Sequence, residues 1–222
     1  MPGSVFITGT DTGVGKTFAS CALLHALRAR GLRAVGMKPV ASGCERIDDD
    51  WRNADALALQ AASDPRPAYA LVNPFALPEP TAPQIAATQA GVEVCLEPML
   101  AAYQLLQQQA DAVVVEGVGG WLAPMADGLE QADLVRALRL PVLLVVGLKL
   151  GCLNHARLTA RAVLADGLSL RGWIASDVDP ALAHAEDYFG LLQAALPMPC
   201  IGRLPHRPDG DAAALAGTLR FA

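Results

Sequence analysis

The sequence predicts one α/β domain in which helices cover both faces of a doubly wound, mostly parallel sheet. Short apolar runs alternate with stretches of helical periodicity, which is typical of strand–helix–strand units. Several of these runs are apolar throughout, as expected for strands that are covered on both faces. The chain has 222 residues, of which 53% are hydrophobic and 18% are charged. That length and composition favour a single folded domain over residues 1–222 with a large core.

Six strands and six helices are predicted, with the active site at the carboxyl ends of the strands. The predicted strands are Val5–Thr8, Ala34–Met37, Val113–Val115, Val142–Val146, Gly172–Ala175 and Cys200–Leu204. The predicted helices are Lys16–Arg30, Ala54–Ala62, Pro98–Gln109, Glu130–Leu138, Leu153–Ala165 and Pro180–Ala195. The segment Pro65–Pro83 is rich in proline but also contains apolar and aromatic residues. We therefore expect a long, shaped loop there and not a flexible linker.

Charge, cysteine content and hydropathy argue against several classes of function. The formal net charge of -5 disfavours a nucleic-acid partner, because phosphate backbones attract basic surfaces. Five scattered cysteines without a C-x-x-C pair indicate neither a disulfide framework nor a zinc site, and they favour a reducing compartment. The apolar run Leu140–Leu148 is shorter than the roughly 20 residues of a membrane span. We expect a cytoplasmic protein with no membrane or nucleic-acid partner.

A glycine-rich turn joins the first predicted strand to the first predicted helix. Gly9–Thr17 reads GTDTGVGKT, close to the phosphate-binding pattern of Gly, four residues and Gly-Lys-Ser/Thr. Thr10 stands at the first glycine position, so the match is incomplete. Gly13 and Gly15 would let backbone N–H groups approach phosphates, and Lys16 would neutralise their charge at a helix N-terminus. The segment predicts a P-loop that binds a nucleoside triphosphate; the alternative is a glycine-rich turn without this function.

Three oxygen-bearing side chains are candidate ligands of Mg²⁺. Thr17 would contribute its hydroxyl, as the last residue of a P-loop does. Glu116 ends a buried strand, where P-loop folds place a second metal group; a solvated strand end is the alternative. Asp55 opens a helix, so it is either a third ligand or a helix cap.

Lys38 follows an apolar strand and is stopped by Pro39, which directs its ammonium towards the phosphate end of the sheet. Ser42 lies in the same loop. A second lysine beside the γ-phosphate would stabilise the charge that develops during phosphoryl transfer. The alternative is a lysine that ends a strand at the protein surface.

These segments together resemble the dethiobiotin synthetase family. The resemblance runs from FITGTDT at 6–12 to about residue 205, and the order of its motifs makes it specific. The most specific segments are GVGKT at 13–17, KPVASG at 38–43, RNADAL at 52–57, EPTAP at 79–83, VEGVGGW at 115–121 and GLKLGCLNH at 147–155.

The resemblance implies an ATP-dependent carboxylation and ring closure in biotin synthesis. In this family, 7,8-diaminononanoate reacts with CO2 to give a carbamate, and ATP phosphorylates that carbamate. The second amine then attacks the mixed anhydride, which closes the ureido ring of dethiobiotin and releases phosphate. The co-substrate would be ATP, the cofactor Mg²⁺ and the other substrates the diamine and CO2 or bicarbonate.

The family pattern also implies roles for individual residues. Thr12, Lys16 and Lys38 would stabilise the carbamate and the transferring phosphoryl group, and Ser42 would contact the diamine. Thr17, Asp55 and Glu116 would hold Mg²⁺. The implied ATP-binding residues are Gly13, Val14, Gly15, Lys16, Thr17, Phe18, Asp55, Glu116, Gly117, Val118, Gly119, Ser176, Asp177, Pro205, His206 and Arg207.

The resemblance also implies a homodimer whose substrate site is shared between two copies of the chain. Gly151, Cys152, Leu153 and Asn154 would bind the carboxylate tail of the partner subunit's substrate. A helix that begins near Leu153 gives this role a physical basis, because its free N–H groups attract carboxylates.

Base recognition is the part of the pattern from which this chain departs. The family usually carries Asn-Asp where this sequence has Ser176 and Asp177. Serine reaches less far than asparagine and offers one hydroxyl in place of an amide that donates and accepts. The second base-contacting loop corresponds in position to Pro205, His206 and Arg207, of which Pro205 matches best.

A regulatory or partitioning ATPase of the related dimeric P-loop class is the main alternative function. Such proteins usually carry an extra lysine within the P-loop, at the position where this chain has Asp11. An acidic residue at that position argues against this function. An amide-forming synthetase that acts on a large cofactor precursor would need a glutaminase domain, for which 222 residues leave no room. A non-catalytic nucleotide-binding module is disfavoured because both Lys38 and Glu116 are present.

Overall fold

The computed structural model describes residues 3–207 and 209–220, so the ends of the predicted domain 1–222 and residue 208 lie outside the described residues. The strands are β1 (Val5–Gly9), β2 (Ala34–Met37), β3 (Val40–Ser42), β4 (Glu45–Ile47), β5 (Asp50–Arg52), β6 (Phe75–Leu77), β7 (Ala112–Glu116), β8 (Pro124–Ala126), β9 (Leu129–Glu130), β10 (Val142–Gly147), β11 (Leu170–Ser176) and β12 (Cys200–Leu204). The helices are α1 (Lys16–Ala29), α2 (Ala54–Ala62), α3 (Tyr69–Val72), α4 (Pro83–Ala90), α5 (Leu96–Gln109), α6 (Gln131–Leu138), α7 (Cys152–Ala165) and α8 (Ala185–Ala195), and a 3₁₀ turn spans Ala213–Thr218.

A six-stranded parallel sheet in the order β12-β11-β10-β1-β7-β2 forms the centre of the protein. Strand β2 is at one edge of the sheet, and β7 lies between β2 and β1. The later strands β10, β11 and β12 follow on the other side of β1. The strand order therefore reverses at β1. In open α/β sheets, ligands bind at the carboxyl ends of the strands beside such a reversal.

Apolar side chains on both faces of the sheet explain why the strands are apolar throughout. Alternate residues of β1 point to opposite faces, so Ile7 packs under α1 and α2 while Phe6 packs against the α5 and α6 side. A further cluster on the α7 and α8 side contains the fully buried Trp173. The parallel, two-sided α/β architecture predicted from the sequence is confirmed.

All six predicted strands and all six predicted helices are present, with shifted ends. The largest shift is at α8, which begins at Ala185 and not at Pro180. The carboxylate of Asp179 accepts a hydrogen bond from the N–H of Ala181 at 3.0 Å, and its carbonyl accepts one from Leu182 at 3.1 Å. These bonds form a turn, which competes with helix at such positions. Helix α5 begins two residues before Pro98.

The prediction of a long, shaped loop over Pro65–Pro83 is wrong in part. The segment contains the short helix α3 and the strand β6, which pairs in parallel with β3, and α4 begins at Pro83. Elements of three or four residues have too few positions to show a period, and contacts with distant segments stabilise them. The two small antiparallel pairs, β4 with β5 and β8 with β9, were not predicted either.

No helix in the described part of the chain is both long enough and apolar enough to cross a membrane.

Candidate functional site

The P-loop follows β1 and ends at the first residue of α1. Gly13 has a φ of 71° and Gly15, the N-cap of α1, has a φ of 85°. Residues with a side chain rarely adopt these left-handed conformations, whereas glycine does so at little cost. The two glycines therefore turn the chain so that backbone N–H groups and the N-terminus of α1 face one point, which is suited to phosphate.

Lys16 is largely buried and bridges two loops. Its ammonium donates to the carbonyl oxygen of Asp11 at 2.8 Å and to that of Gly119 at 2.7 Å. Burial, followed by the positive charge of Lys38, lowers the pKa of Lys16 to about 8, against the opposing effect of nearby carboxylates. The cation thus lies at the junction of the P-loop and the loop after β7, and it forms no ion pair with a carboxylate of the described residues.

Glu116 is the most deeply buried charged residue of the site, with 0% of its surface exposed. Its Oε1 atom accepts hydrogen bonds from the hydroxyl of Thr17 at 2.8 Å and from the ammonium of Lys38 at 2.7 Å. Its Oε2 atom is buried and has no hydrogen-bond partner among the described residues. The alternative of a solvated strand end is therefore wrong for Glu116.

Lys38 lies between two carboxylates. Its ammonium is 3.0 Å from Oδ2 of Asp55 as well as 2.7 Å from Oε1 of Glu116, and the residue is only 5% exposed. Burial alone would lower the pKa of Lys38, but the two carboxylates outweigh it and raise the pKa above its ordinary value. Lys38 is therefore a buried cation, and the alternative of a lysine at the surface is wrong.

Asp55 faces the site because another residue caps its helix. The side chain of Asn53 accepts hydrogen bonds from the N–H groups of Asp55 and Ala56 at 3.1 and 3.3 Å, so Asn53 is the N-cap of α2. Burial would raise the pKa of Asp55, but the ammonium of Lys38 dominates and lowers it. The helix-cap alternative for Asp55 is therefore wrong.

A cavity of about 970 Å³ at the carboxyl ends of the strands joins these groups. It contains most of the residues predicted for nucleotide and substrate binding. They are Thr12, Gly13, Gly15, Lys16, Thr17, Phe18, Lys38, Ser42, Asp55, Glu116, Val118, Gly119, Ser176, Asp177, Pro205, His206 and Arg207.

Six predicted residues do not line this cavity. Val14 is fully buried beneath the P-loop, and Gly117 packs against the side chain of Gln131. The segment 151–154 begins α7 outside the lining of the cavity, next to Leu150, which is 81% exposed. Gly151 caps α7 without a side chain, and the backbone N–H groups of Cys152 and Asn154 donate to the carbonyls of Lys149 and Gly151, both at 3.1 Å. The proposed role of residues 151–154 towards a partner subunit stays a prediction.

The predicted base-binding end of the cavity is built from β11, β12 and the residues that follow them. Ser176 is buried and its hydroxyl lies directly against Gly15, where any larger residue in place of the glycine would clash with it. Asp177 is held by Arg203, whose Nε donates to both carboxylate oxygens at 3.0 and 3.2 Å. The guanidinium of Arg203 also lies over the ring of Phe189 at 5.1 Å.

Gln131 is a buried residue of the site that the sequence did not reveal. Its Oε1 accepts from the N–H of Val118 at 2.7 Å, and its Nε2 donates to the carbonyl of Gly120 at 3.0 Å and to the hydroxyl of Thr8 at 3.2 Å. These bonds flank Gly119, whose carbonyl binds Lys16. A single glutamine at the start of an amphipathic helix gives no signal of such a role.

Fold and site together define a P-loop nucleotide-binding protein. Residues 3–214 match the family model described as an AAA domain. The signal recognition particle receptor FtsY from Elizabethkingia anophelis shares the fold, with a TM-score of 0.53 and 16% sequence identity; the match covers 98% of this chain and 65% of that one. At this identity the likeness concerns the fold alone.

Curated relatives identify the family. The chain is 63% identical over 221 residues to the ATP-dependent dethiobiotin synthetase BioD of Xanthomonas oryzae pv. oryzae (strain PXO99A), covering 100% of this chain and 99% of the relative. It is 62% identical over 215 residues to the protein of the same name from Xylella fastidiosa (strain 9a5c), covering 96% and 95%. The chain belongs to the family of ATP-dependent dethiobiotin synthetases.

The contacts of Gln131 predict a stability effect. Replacement of Gln131 by leucine keeps the approximate volume but leaves three buried or partly buried polar groups, on Thr8, Val118 and Gly120, without their partner. Each such loss typically costs about 1–3 kcal/mol, so Gln131→Leu should lower the free energy of unfolding by at least that amount in urea titrations. Gln108→Leu, on the exposed face of α5, is the matched control and should change it by no more than about 0.5 kcal/mol. Equal effects of the two substitutions would contradict the assignment.

Proposed function

We propose that this protein catalyses ATP-dependent formation of dethiobiotin from 7,8-diaminononanoate and CO2. The observation that carries the proposal is the arrangement of Lys16 and Lys38 around one cavity at the P-loop, with Lys38 held on the buried Glu116. The names of relatives that are 62–63% identical over nearly the whole chain support the same activity. They favour a biosynthetic enzyme over the regulatory or partitioning ATPase.

The proposed reaction has three steps. An amine of the diamine attacks CO2, which forms a C–N bond and, after loss of a proton, a carbamate. A carbamate oxygen attacks the γ-phosphorus of ATP, and the bond to ADP breaks. The second amine then attacks the carbonyl carbon of the mixed anhydride, loses its proton and expels phosphate, which closes the ureido ring. Negative charge is thus carried successively by the carbamate and by the transferring phosphoryl group.

The cations of the site are suited to stabilise that charge. Lys16 lies at the N-terminus of α1 and its ammonium donates to two backbone carbonyls among the described residues, which phosphate oxygens can replace. Lys38 lies across the cavity between Glu116 and Asp55. Fixed cations in a site that excludes water lower the barrier because they need no reorganisation during the reaction. Thr12 and Ser42 line the same cavity and are proposed to contact the carbamate and the diamine.

The residues present fit Mg²⁺ as the cofactor. Thr17, Asp55 and Glu116 supply the hard oxygen ligands that this ion prefers, and Oε2 of Glu116 is a buried acceptor without a partner among the described residues. Within the described ranges no three His, Cys, Asp or Glu residues form a metal cluster. Mg²⁺ commonly binds through one or two carboxylates together with substrate phosphates. When bound, it would neutralise the phosphate oxygens of ATP.

The proposed partners and location follow from the same reasoning. We propose a homodimer in which residues 151–154 of one copy bind the carboxylate tail of the other copy's diamine. Leu158 on the same helix is 55% exposed, as expected of a side chain that a second copy would cover. All five cysteines are unpaired, which supports a reducing cytoplasm as the place of action.

Lys38→Ala should slow phosphate release by about 10²–10³, the usual cost of removing one group that stabilises a developing charge. The substitution leaves Glu116 without its cation, so turnover should be measured at saturating Mg²⁺ and nucleotide. Thermal unfolding and the Kd for ATP serve as controls for folding and for the P-loop. Near-normal turnover by a folded Lys38→Ala protein would contradict the role of this lysine.

Dissociation of the proposed dimer should weaken diamine binding and leave ATP binding unchanged, because the P-loop belongs to one copy. Leu158→Asp places a charge on the exposed face of α7 and should yield a monomer in analytical ultracentrifugation. Leu191→Asp is the matched control, since this leucine is similarly exposed (56%) but lies on α8. A monomer that binds the diamine with full affinity would refute a shared site.

Base selectivity should be weak because Ser176 offers a single hydroxyl and Arg203 already occupies both oxygens of Asp177. The phosphates, which all nucleotides share, would supply most of the binding. We expect GTP or CTP to support turnover within about tenfold of ATP, a difference of about 1.4 kcal/mol. Ser176→Asn should widen the preference for ATP, as measured by kcat/KM for each nucleotide. Strict use of ATP by the unaltered protein would show that other groups read the base.

A further inference from the structure

A tyrosine hydroxyl in the proline-rich segment connects two separate parts of the candidate site. Tyr69 is the first residue of α3, and its hydroxyl accepts a hydrogen bond from the backbone N–H of Asn53 at 2.7 Å. The same hydroxyl donates to Oδ1 of Asn73 at 3.1 Å. One oxygen atom is therefore bonded to two residues that are distant in sequence, and each of them contacts a different part of the cavity wall.

Asn73 leads from Tyr69 to Lys38. Asn73 is buried, and its Nδ2 donates to the carbonyl oxygen of Lys38 at 2.7 Å. The backbone N–H of Lys38 donates to the carbonyl of Val72 at 2.7 Å. Lys38 lies just beyond the end of β2. Its backbone N–H and carbonyl groups are bonded to Val72 and Asn73, the last residue of α3 and the residue after it. This segment fixes the point from which the ammonium extends.

Asn53 leads from Tyr69 to Asp55 and Ser42. Its Oδ1 caps α2 by accepting from the N–H of Asp55, and its Nδ2 donates to the carbonyl of Ser42 at 3.3 Å. The bond from Tyr69 to the N–H of Asn53 therefore fixes the start of the helix that carries Asp55. The carboxylate of Asp55 and the ammonium of Lys38 meet at 3.0 Å.

We propose that Tyr69 is a positioning residue, whose hydroxyl sets the placement of Lys38 relative to Asp55 and Ser42 through Asn73 and Asn53. The inference rests on the proposed function, because it assigns a purpose to the geometry around Lys38. Tyr69 itself does not line the cavity. Its contribution to the reaction is therefore indirect, and we expect its loss to lower kcat.

The surroundings of Tyr69 keep its hydroxyl in place and protonated. The guanidinium of Arg52 lies over its ring at 4.2 Å, which holds the ring between Arg52 and the protein. Burial raises the pKa of Tyr69 above its ordinary value. The hydroxyl therefore retains the proton that it donates to Asn73 at neutral pH.

Tyr69→Phe removes this single oxygen, and Tyr103→Phe is the matched control. Tyr103 is also buried, and its hydroxyl accepts a bond from Gln107 on its own helix and contacts the side chain of Ser4, both outside the cavity. Loss of a group that orients a reacting residue typically costs about 10–100-fold in activity. We expect Tyr69→Phe to lower kcat for dethiobiotin formation by at least tenfold, with less than a twofold change in the Kd for ATP. Tyr103→Phe should leave kcat within twofold of the unaltered protein.

A double-mutant cycle with Lys38→Ala separates positioning from a general structural effect. If Tyr69 acts through Lys38, the Tyr69→Phe substitution should cost less than about threefold in kcat when Lys38 is already alanine, because coupled residues are not additive. An undiminished tenfold loss in that background would overturn the proposal. So would a loss of the same size in Tyr103→Phe, or a kcat for Tyr69→Phe equal to that of the unaltered protein.

The assay also distinguishes failure of this inference from failure of the proposed function. If the unaltered protein forms no dethiobiotin, the proposed function is wrong, and with it the inference. If it is active, the comparison of the variants decides about Tyr69 alone. Should Tyr69→Phe fail to fold, Asn73→Ala replaces it, because it removes both the acceptor of the Tyr69 hydroxyl and the amide that donates to the carbonyl of Lys38. Full kcat in Asn73→Ala would overturn the proposal.

Discussion

The buried carboxylate of Glu116 is the constraint on which the site depends. A carboxylate with no exposed surface is stable only when cations and hydrogen-bond donors surround it. Here Lys38 and the hydroxyl of Thr17 both bind its Oε1 atom. Removing one partner of such a buried pair typically costs about 3–5 kcal/mol, because the remaining charge is left uncompensated. The protein therefore always needs a cation at Glu116, and Lys38 is that cation in the structure.

The strand order places these groups together. Strand β7, which ends with Glu116, lies between β1 and β2. The P-loop with Thr17 follows β1, and Lys38 follows β2, so all three groups emerge at one edge from adjacent parallel strands. Behind this edge, Gln131 holds the loop after β7 and Tyr69 links the supports of Lys38 and Asp55. The strand order thus places the charged side chains at one edge of the sheet, and side-chain hydrogen bonds behind that edge fix the distances between them.

The parts predictable from sequence are those encoded by local patterns. The P-loop, the six strands of the central sheet and the strand ends with Lys38 and Glu116 all follow from periodicity and from a few consecutive residues. Gln131, Tyr69 and Asn73 could not be found in this way, because their role depends on partners that are distant in the chain. The short elements of the proline-rich segment were missed for the same reason. The sequence does not decide whether Asp55 caps its helix or faces the site, because Asn53, two residues earlier, is an equally good cap.

A structure with Mg²⁺ and a non-hydrolysable ATP analogue tests the central claim most directly. If Glu116 is a cation site that Lys38 occupies before the metal binds, Thr17, Asp55 and Glu116 should bind the ion directly or through water. The ammonium of Lys38 should then move from its 2.7 Å contact with Glu116 towards the γ-phosphate. An ion bound by phosphates alone, with Lys38 still bonded to Glu116, would contradict this account.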